Sequence, residues 1–67
     1  MKINNLPEYA RDYNWIVARI VDGEAWFYGA YNDEGKAFAV GTEVNGVVVS
    51  TTQVMLERSG EHEEIRT

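Results

Sequence analysis

The chain has no cysteine, one proline, one histidine and six basic residues among its 67. Without cysteine, neither a disulfide framework nor a thiolate zinc site can stabilise the fold. One histidine, with no serine near it in a recognisable pattern, offers little for nucleophilic or metal-dependent catalysis, so we expect no enzymatic activity and no cofactor. No apolar run approaches the roughly 20 residues of a membrane span, and no secretory leader pattern opens the chain, so we expect a cytoplasmic protein.

Acidic residues outnumber basic ones by 11 to 6, which gives a formal net charge of −5. Binding to nucleic acid or to an anionic membrane needs an excess of lysine and arginine, so we expect neither. A hydrophobic fraction of 45%, with eight aromatic residues, is too high for a disordered chain. The composition therefore indicates one small folded domain whose partner, if it has one, is a protein.

We expect this domain to occupy residues 1–58, followed by a flexible acidic tail over residues 59–67. The histidine, His62, lies in that tail between Glu61 and Glu63. Consecutive potential ligands on a flexible segment do not form a preorganised metal site, so we expect no bound metal.

The clearest local pattern is the Asp22-Gly23 pair between two runs of β-branched and aromatic residues, Trp15 to Val21 and Glu24 to Tyr31. This pattern predicts a β-hairpin with a two-residue type I′ turn, which places Val21 opposite Glu24 and continues to Ile16 opposite Gly29. Alternation along the strands then defines two faces. One is an uncharged face, Ile16, Ala18, Ile20, Ala25, Phe27 and Gly29; the other is an aromatic face, Trp15, Val17, Arg19, Val21, Glu24, Trp26 and Tyr28.

The segment from Asn32 to Gly46 fits two structures. As a helix it would be capped by Asn32 or Asp33, would end before Gly46, and would present one apolar face, formed by Ala37, Val40, Gly41 and Val44. As a strand pair it would alternate Phe38, Val40, Thr42 and Val44 and complete a four-stranded meander. The helix is favoured because the uncharged face of the hairpin needs a cover.

A further strand is predicted from Val47 to Thr52, and a short N-terminal helical turn is predicted around Leu6, Tyr9, Ala10 and Tyr13. The expected fold is therefore α+β. It has a ββαβ arrangement in which a three-stranded sheet of order 2-1-3 packs on one helix, with the short N-terminal helical turn in addition. The all-β four-stranded meander is the alternative.

The aromatic face is the candidate binding site, and its proposed contact residues are Trp15, Val17, Arg19, Glu24, Trp26 and Tyr28. Three interpretations remain open: the N-terminal turn covers this face, a second copy of the chain covers it, or it binds a partner protein. Tryptophan, tyrosine and arginine are the residue types enriched in binding hot spots. Single-stranded nucleic acid also stacks on open aromatic sheets, but Arg19 alone does not supply the positive charge which that binding needs.

The run from Trp15 to Tyr31, followed by Lys36-Ala37 and the segment from Val44 to Val49, resembles small uncharacterised proteins encoded by phages and mobile elements. The resemblance implies an accessory protein, a class in which small acidic inhibitors of host defence are common. The expected function is thus a small acidic protein-interaction module that inhibits a host nucleic-acid-directed protein, in the manner of an anti-CRISPR protein. The alternative is a small homodimeric structural or regulatory protein with no inhibitory role.

Overall fold

The computed structural model describes residues 2–54, and within them the fold is α+β, as the sequence predicts. Residues 51–54, the last described, are helical. The expected domain end at residue 58 and the tail over 59–67 lie outside the described residues. The elements follow one another as β1 (Ile3–Asn4), a 3-10 helix (Glu8–Asp12), β2 (Trp15–Val21), β3 (Glu24–Tyr31), α1 (Glu34–Glu43) and β4 (Val47–Ser50).

The strands form one mixed sheet of order β1-β3-β2-β4. β1 runs parallel to β3, whereas β3 and β4 both run antiparallel to β2. The prediction of a three-stranded sheet is therefore wrong in strand number, because Ile3 and Asn4 add a fourth strand beside Ala25 and Trp26. The strand that follows the helix does lie antiparallel to the first hairpin strand. Because Glu34–Glu43 is helical, the four-stranded meander is excluded.

The hairpin turn has the predicted type I′ conformation, since both of its residues have positive φ, 52° at Asp22 and 79° at Gly23. The predicted register holds from Val21 opposite Glu24 to Ala18 opposite Phe27. A β-bulge then places Val17 opposite Gly29, so the predicted pairing of Val17 with Tyr28 is wrong. Ile16 consequently lies opposite Ala30 rather than Gly29.

The bulge moves one residue of β3 out of the ladder, which an alternating pattern does not indicate. Tyr28 has no partner in β2. Beyond it the alternation of β3 changes phase, and Ala30 packs against the hydrophobic core in the place expected for Gly29.

The helix α1 begins and ends with recognisable caps. The Asp33 side chain accepts a hydrogen bond from the Lys36 backbone N–H, with Oδ1 and N 3.2 Å apart. At the other end Asn45 takes the left-handed conformation, φ 57°, and the Gly46 N–H donates to the Gly41 carbonyl over 2.8 Å. Together with the bond from the Asn45 N–H to the Thr42 carbonyl, this is a Schellman motif.

The helix covers the aromatic face of the sheet and not the uncharged face, contrary to the prediction. Val17 on the aromatic face is fully buried, and the ring of Phe38 on α1 lies 6.2 Å from that of Trp15. Gly41 approaches Val48, the β4 residue opposite Val17. A helix that joins two parallel strands is held to one side of the sheet by the handedness of the crossover, which the hydrophobic pattern of the hairpin does not determine.

The N-terminal segment and residues 51–54 cover the uncharged face. The core there consists of small and branched side chains, with Tyr9 of the 3-10 helix edge-on to Phe27 at 6.2 Å between ring centroids. Of the three interpretations of the aromatic face, cover by the N-terminal turn is therefore excluded. The buried residues of this core are Ile3, Ala10, Ile16, Ala18, Ala25 and Val54, with Leu6, Phe27, Ala30, Val47 and Val49 packed against them.

Candidate protein-binding surface

The structure divides the six predicted contact residues into a covered group and an exposed group. Val17 is fully buried beneath α1 and cannot contact a partner, which corrects its assignment. Trp15 is half-buried against Phe38. The other four are exposed, namely Arg19, Glu24, Trp26 and Tyr28.

The aromatic face remains open where the hairpin extends past α1. Arg19 lies directly opposite Trp26, and Val21 lies directly opposite Glu24, so these four side chains form a compact group on one face of two adjacent strands. We call this group the open hairpin surface. Trp26 is 41% exposed and Val21 is 44% exposed, which leaves two large apolar side chains in water between one cation and one carboxylate.

Asn4 on β1 borders this surface and was missed by the sequence reasoning. It pairs with Trp26, and its Nδ2 donates a hydrogen bond to Oε1 of Glu24 over 3.2 Å. The bond restricts the position of the Glu24 carboxylate beside Trp26. A strand of two residues is too short to show alternation, so no sequence pattern identified Asn4 as a neighbour of the hairpin.

The reverse side of the hairpin tip is also uncovered. Ile20 belongs to the uncharged face but is 46% exposed. The segments that cover this face, the N-terminal segment and residues 51–54, leave the hairpin tip exposed. A shallow depression lies beside it, lined by Lys2, Asn4, Ile20, Gly23, Glu24 and Ala25. The tip thus presents branched apolar side chains on both faces.

Other exposed aromatic residues lie apart from the open hairpin surface. Tyr9 and Tyr13 form an edge-to-face pair in the N-terminal segment, with ring centroids 6.3 Å apart. Phe38 is 51% exposed on α1, although one side of its ring meets Trp15. Tyr28 is exposed at the bulge. Phe38 is consequently a useful reference, because it is as exposed as Trp26 but belongs to another element.

Several of the acidic side chains between residues 2 and 54 have local structural roles. Asp22 forms the turn, Asp33 caps α1, Glu34 lies in the first helical turn and Glu24 accepts the bond from Asn4. Within the same residues no group of three histidine, aspartate or glutamate side chains is placed to hold a metal ion. None of the helices in this part of the chain is both long and apolar enough to cross a membrane.

Comparison of the chain with protein-family models, with curated proteins and with solved structures gives no significant match.

Proposed function

We propose that this protein is a small acidic, non-enzymatic interaction module that binds another protein through the open hairpin surface. The observation that supports the proposal is the exposure of Trp26. The sheet face to which Trp26 belongs is covered by α1 at Val17 but is left open at the hairpin end. Trp26 and the diagonally placed Val21 are both exposed on this face, and adjoining exposed apolar side chains, unlike scattered single ones, indicate an interaction surface.

The residues around Trp26 suit a protein partner. An indole in a complementary pocket, flanked by Arg19 and Glu24, combines a large apolar contact area with groups that fix orientation. Arg19 and Trp26 belong to residue types that dominate binding energies at interfaces. Because Trp26 lies on a strand paired on both sides, little backbone freedom is lost on binding.

The specific form of the proposal is a phage-type inhibitor, anti-CRISPR-like, that acts on a host nucleic-acid-directed protein. The resemblance to proteins of phages and mobile elements supports this form. The net charge of −5 supports it as well, because nucleic-acid-handling proteins carry basic surfaces that attract an acidic domain. On this proposal the open hairpin surface supplies affinity, and the overall charge accelerates the encounter.

The test is a comparison of Trp26→Ala with Phe38→Ala. Each variant removes one exposed aromatic ring, but only the first changes the open hairpin surface. Tagged wild-type and Phe38→Ala proteins should capture the same bacterial protein and should protect an incoming plasmid from CRISPR-directed interference. Trp26→Ala should do neither, while its circular dichroism spectrum remains that of the wild type. Equal capture and equal protection by both variants would show that the open hairpin surface does not bind the partner.

The alternative function, a homodimeric structural or regulatory protein, predicts a different result. Such a protein would dimerise without any host component and would give no protection in the plasmid assay.

A further inference from the structure

We infer that the partner protein presents a proline-rich segment in the polyproline II conformation, and that an aromatic strip on β3 binds this segment. The strip consists of Trp26, Tyr28 and Tyr31, with Gly29 between the last two, and it continues along β3 from the open hairpin surface. The inference rests on the proposed function, because Trp26 belongs to both surfaces, and it adds the chemical class of the segment that is recognised.

The β-bulge places two consecutive residues of β3 on one face of the sheet. Gly29 lies opposite Val17 of the aromatic face, and paired residues of adjacent strands share a face. Phe27 packs against the hydrophobic core on the other face, so Tyr28, the next residue, returns to the aromatic face. The bulge thereby directs Tyr28 to the face that carries both Trp26 and Gly29.

The ring of Tyr31 lies across Gly29. A Cβ atom added to Gly29 would come within 2.7 Å of the Tyr31 hydroxyl oxygen and 3.0 Å of Tyr31 Cζ. Because Gly29 has no side chain, the Tyr31 ring can lie along β3 with its hydroxyl directed towards Tyr28. Three aromatic rings therefore follow one another along a single strand, over the roughly 17 Å that separate Trp26 from Tyr31.

The strip offers ring faces and hydrogen-bond donors but no charge. Within residues 2–54 the close ring–ring pairs involve none of Trp26, Tyr28 and Tyr31. In the same part of the chain no side-chain hydrogen bond uses the indole N–H of Trp26 or either tyrosine hydroxyl. Trp26 and Tyr28 are both exposed. A ligand can therefore pack on these rings and accept hydrogen bonds from their donors.

A proline-rich segment in the polyproline II conformation matches these groups. Proline has no N–H, and a polyproline II helix has no internal hydrogen bonds, so its carbonyl groups accept bonds from indole and hydroxyl donors. Its rise is about 3.1 Å per residue, so about five or six residues span the strip. Segments of this kind dock on surfaces lined by aromatic side chains, and the preformed helix loses little conformational freedom on binding.

Other ligands match the strip less well. An added β-strand pairs with the edge of a sheet, whereas the strip lies on a face. An amphipathic helix needs a broad apolar groove, but the strip is one strand wide, since α1 covers Val17 on the neighbouring strand. An oligosaccharide also stacks on aromatic rings, but its many hydroxyls need amide or charged side chains beside the rings, and β3 carries none from Trp26 to Tyr31.

Glu24 supplies a charged group at one end of the strip. It lies two residues before Trp26 on the same strand, and its Oε1 accepts the hydrogen bond from Asn4 Nδ2. The bond holds the carboxylate in place and leaves Oε2 as an acceptor. A basic residue next to the proline run can pair with this oxygen, and the net charge of −5 attracts such a segment. The recognised segment is therefore a proline run with a lysine or arginine at one end.

Titration with a synthetic peptide tests the inference on the free protein. The probe is a run of about eight prolines with an arginine at each end, and the control peptide replaces the prolines by alternating glycine and serine. We expect the wild type and Phe38→Ala to bind the proline peptide and neither protein to bind the control peptide. Failure of the wild type to bind the proline peptide would overturn the inference. So would binding of a soluble glucose oligosaccharide in its place, since the strip would then recognise carbohydrate.

Variants of the strip locate the binding. Tyr28→Ala should weaken binding of the proline peptide about tenfold, because it removes a ring face and a donor, and its circular dichroism spectrum should remain that of the wild type. Tyr28→Phe keeps the ring face and should weaken binding less. Glu24→Gln should bind the proline run equally with and without its arginines, whereas the wild type should prefer the run with arginine. A Tyr28→Ala variant that binds as tightly as the wild type would contradict the inference, as would a Glu24→Gln variant that keeps the preference for arginine.

Competition between the peptide and the captured protein separates this inference from the proposed function. We expect the proline peptide to displace the captured bacterial protein from the wild type, and Trp26→Ala to bind neither of them. A partner that is captured through Trp26 but is not displaced by the peptide would overturn the inference and leave the proposed function standing. A wild type that binds the proline peptide but captures no bacterial protein would overturn the proposed function and leave the ligand class of the strip standing.

Discussion

Gly41 of α1 lies against Val48 of β4 so closely that a Cβ atom added to the glycine would come within 2.7 Å of Val48 Cγ2. The contact sets the distance between the helix and the sheet. It also explains a glycine in the last turn of the helix, where glycine costs up to about 1 kcal/mol relative to alanine. The helix accepts that cost because a larger residue would separate it from Val17 and Val48.

We therefore predict that Gly41→Ala lowers the free energy of unfolding, although alanine is the better helix former. Val48 is β-branched and packed, so it cannot move aside easily, and overpacking of this kind typically costs about 1–3 kcal/mol. Denaturant unfolding of Gly41→Ala, Val48→Ala and the double variant measures the coupling. In the double variant the new methyl should occupy the space left by the valine and recover part of the loss. A more stable Gly41→Ala variant would contradict this packing.

Gly46 has an even closer neighbour. A Cβ atom there would overlap the carbonyl oxygen of Ala18, which is backbone and cannot rotate away. We predict that Gly46→Ala unfolds at a clearly lower temperature than the wild type.

Gly35→Ala is the control for that substitution. Gly35 lies in the exposed first turn of α1. A Cβ atom added there would have an Asp33 carboxylate oxygen as its nearest neighbour, at 3.3 Å. The alanine should therefore leave the unfolding temperature unchanged or raise it. Its helix propensity exceeds that of glycine by up to about 1 kcal/mol in free energy. Equal unfolding temperatures of Gly46→Ala and Gly35→Ala would contradict the overlap with the Ala18 carbonyl.

The hairpin turn should respond to substitution according to its backbone conformation. Gly23 has φ 79° and open space around it, so Gly23→Ala should destabilise the protein through backbone strain alone, by roughly 1–2 kcal/mol. Asp22→Asn should be tolerated, because asparagine suits the first position of a type I′ turn. Thermal unfolding of the two variants checks this. A neutral Gly23→Ala would argue against the type I′ turn.

Val17 and Trp26 share the aromatic face but should have separable roles. Val17 is fully buried, so Val17→Ala should lower the free energy of unfolding by roughly 1–3 kcal/mol. Trp26→Ala should change stability much less and should abolish capture of the partner. Parallel unfolding and capture measurements on the two variants separate these effects. A Val17→Ala variant as stable as the wild type would contradict the placement of α1.

The elements that the sequence predicts well are those with strong local patterns. The Asp22-Gly23 turn requires positive φ at both residues, and the alternation around it defines the hairpin up to Phe27. The capping potential of Asp33 and the apolar spacing of Ala37 and Gly41 allow the helix over Glu34–Glu43 but do not decide it against a strand pair. The argument that favoured the helix, cover for the uncharged face, is wrong, because α1 covers the aromatic face.

The remaining features depend on tertiary structure. The bulge at Tyr28 changes the register without changing the residue pattern, and β1 is too short for a periodic signal. The face that α1 covers depends on how the chain crosses from β3 to β4. Both faces of the hairpin carry apolar residues, so the sequence does not show which of them the helix covers. For that reason the sequence pattern places Val17 on the binding surface, although the residue is buried beneath α1.

The accessibility of Trp26 before and after partner binding tests the central claim most directly. A Trp15→Phe variant leaves Trp26 as the single tryptophan of this chain, and a red-shifted tryptophan analogue at that position keeps its emission distinct from that of the partner's tryptophans. We predict efficient quenching by acrylamide in the free protein and strong protection in the complex with the captured partner. A Trp26 that is quenched equally in the free protein and in the complex would contradict the claim that this surface binds the partner.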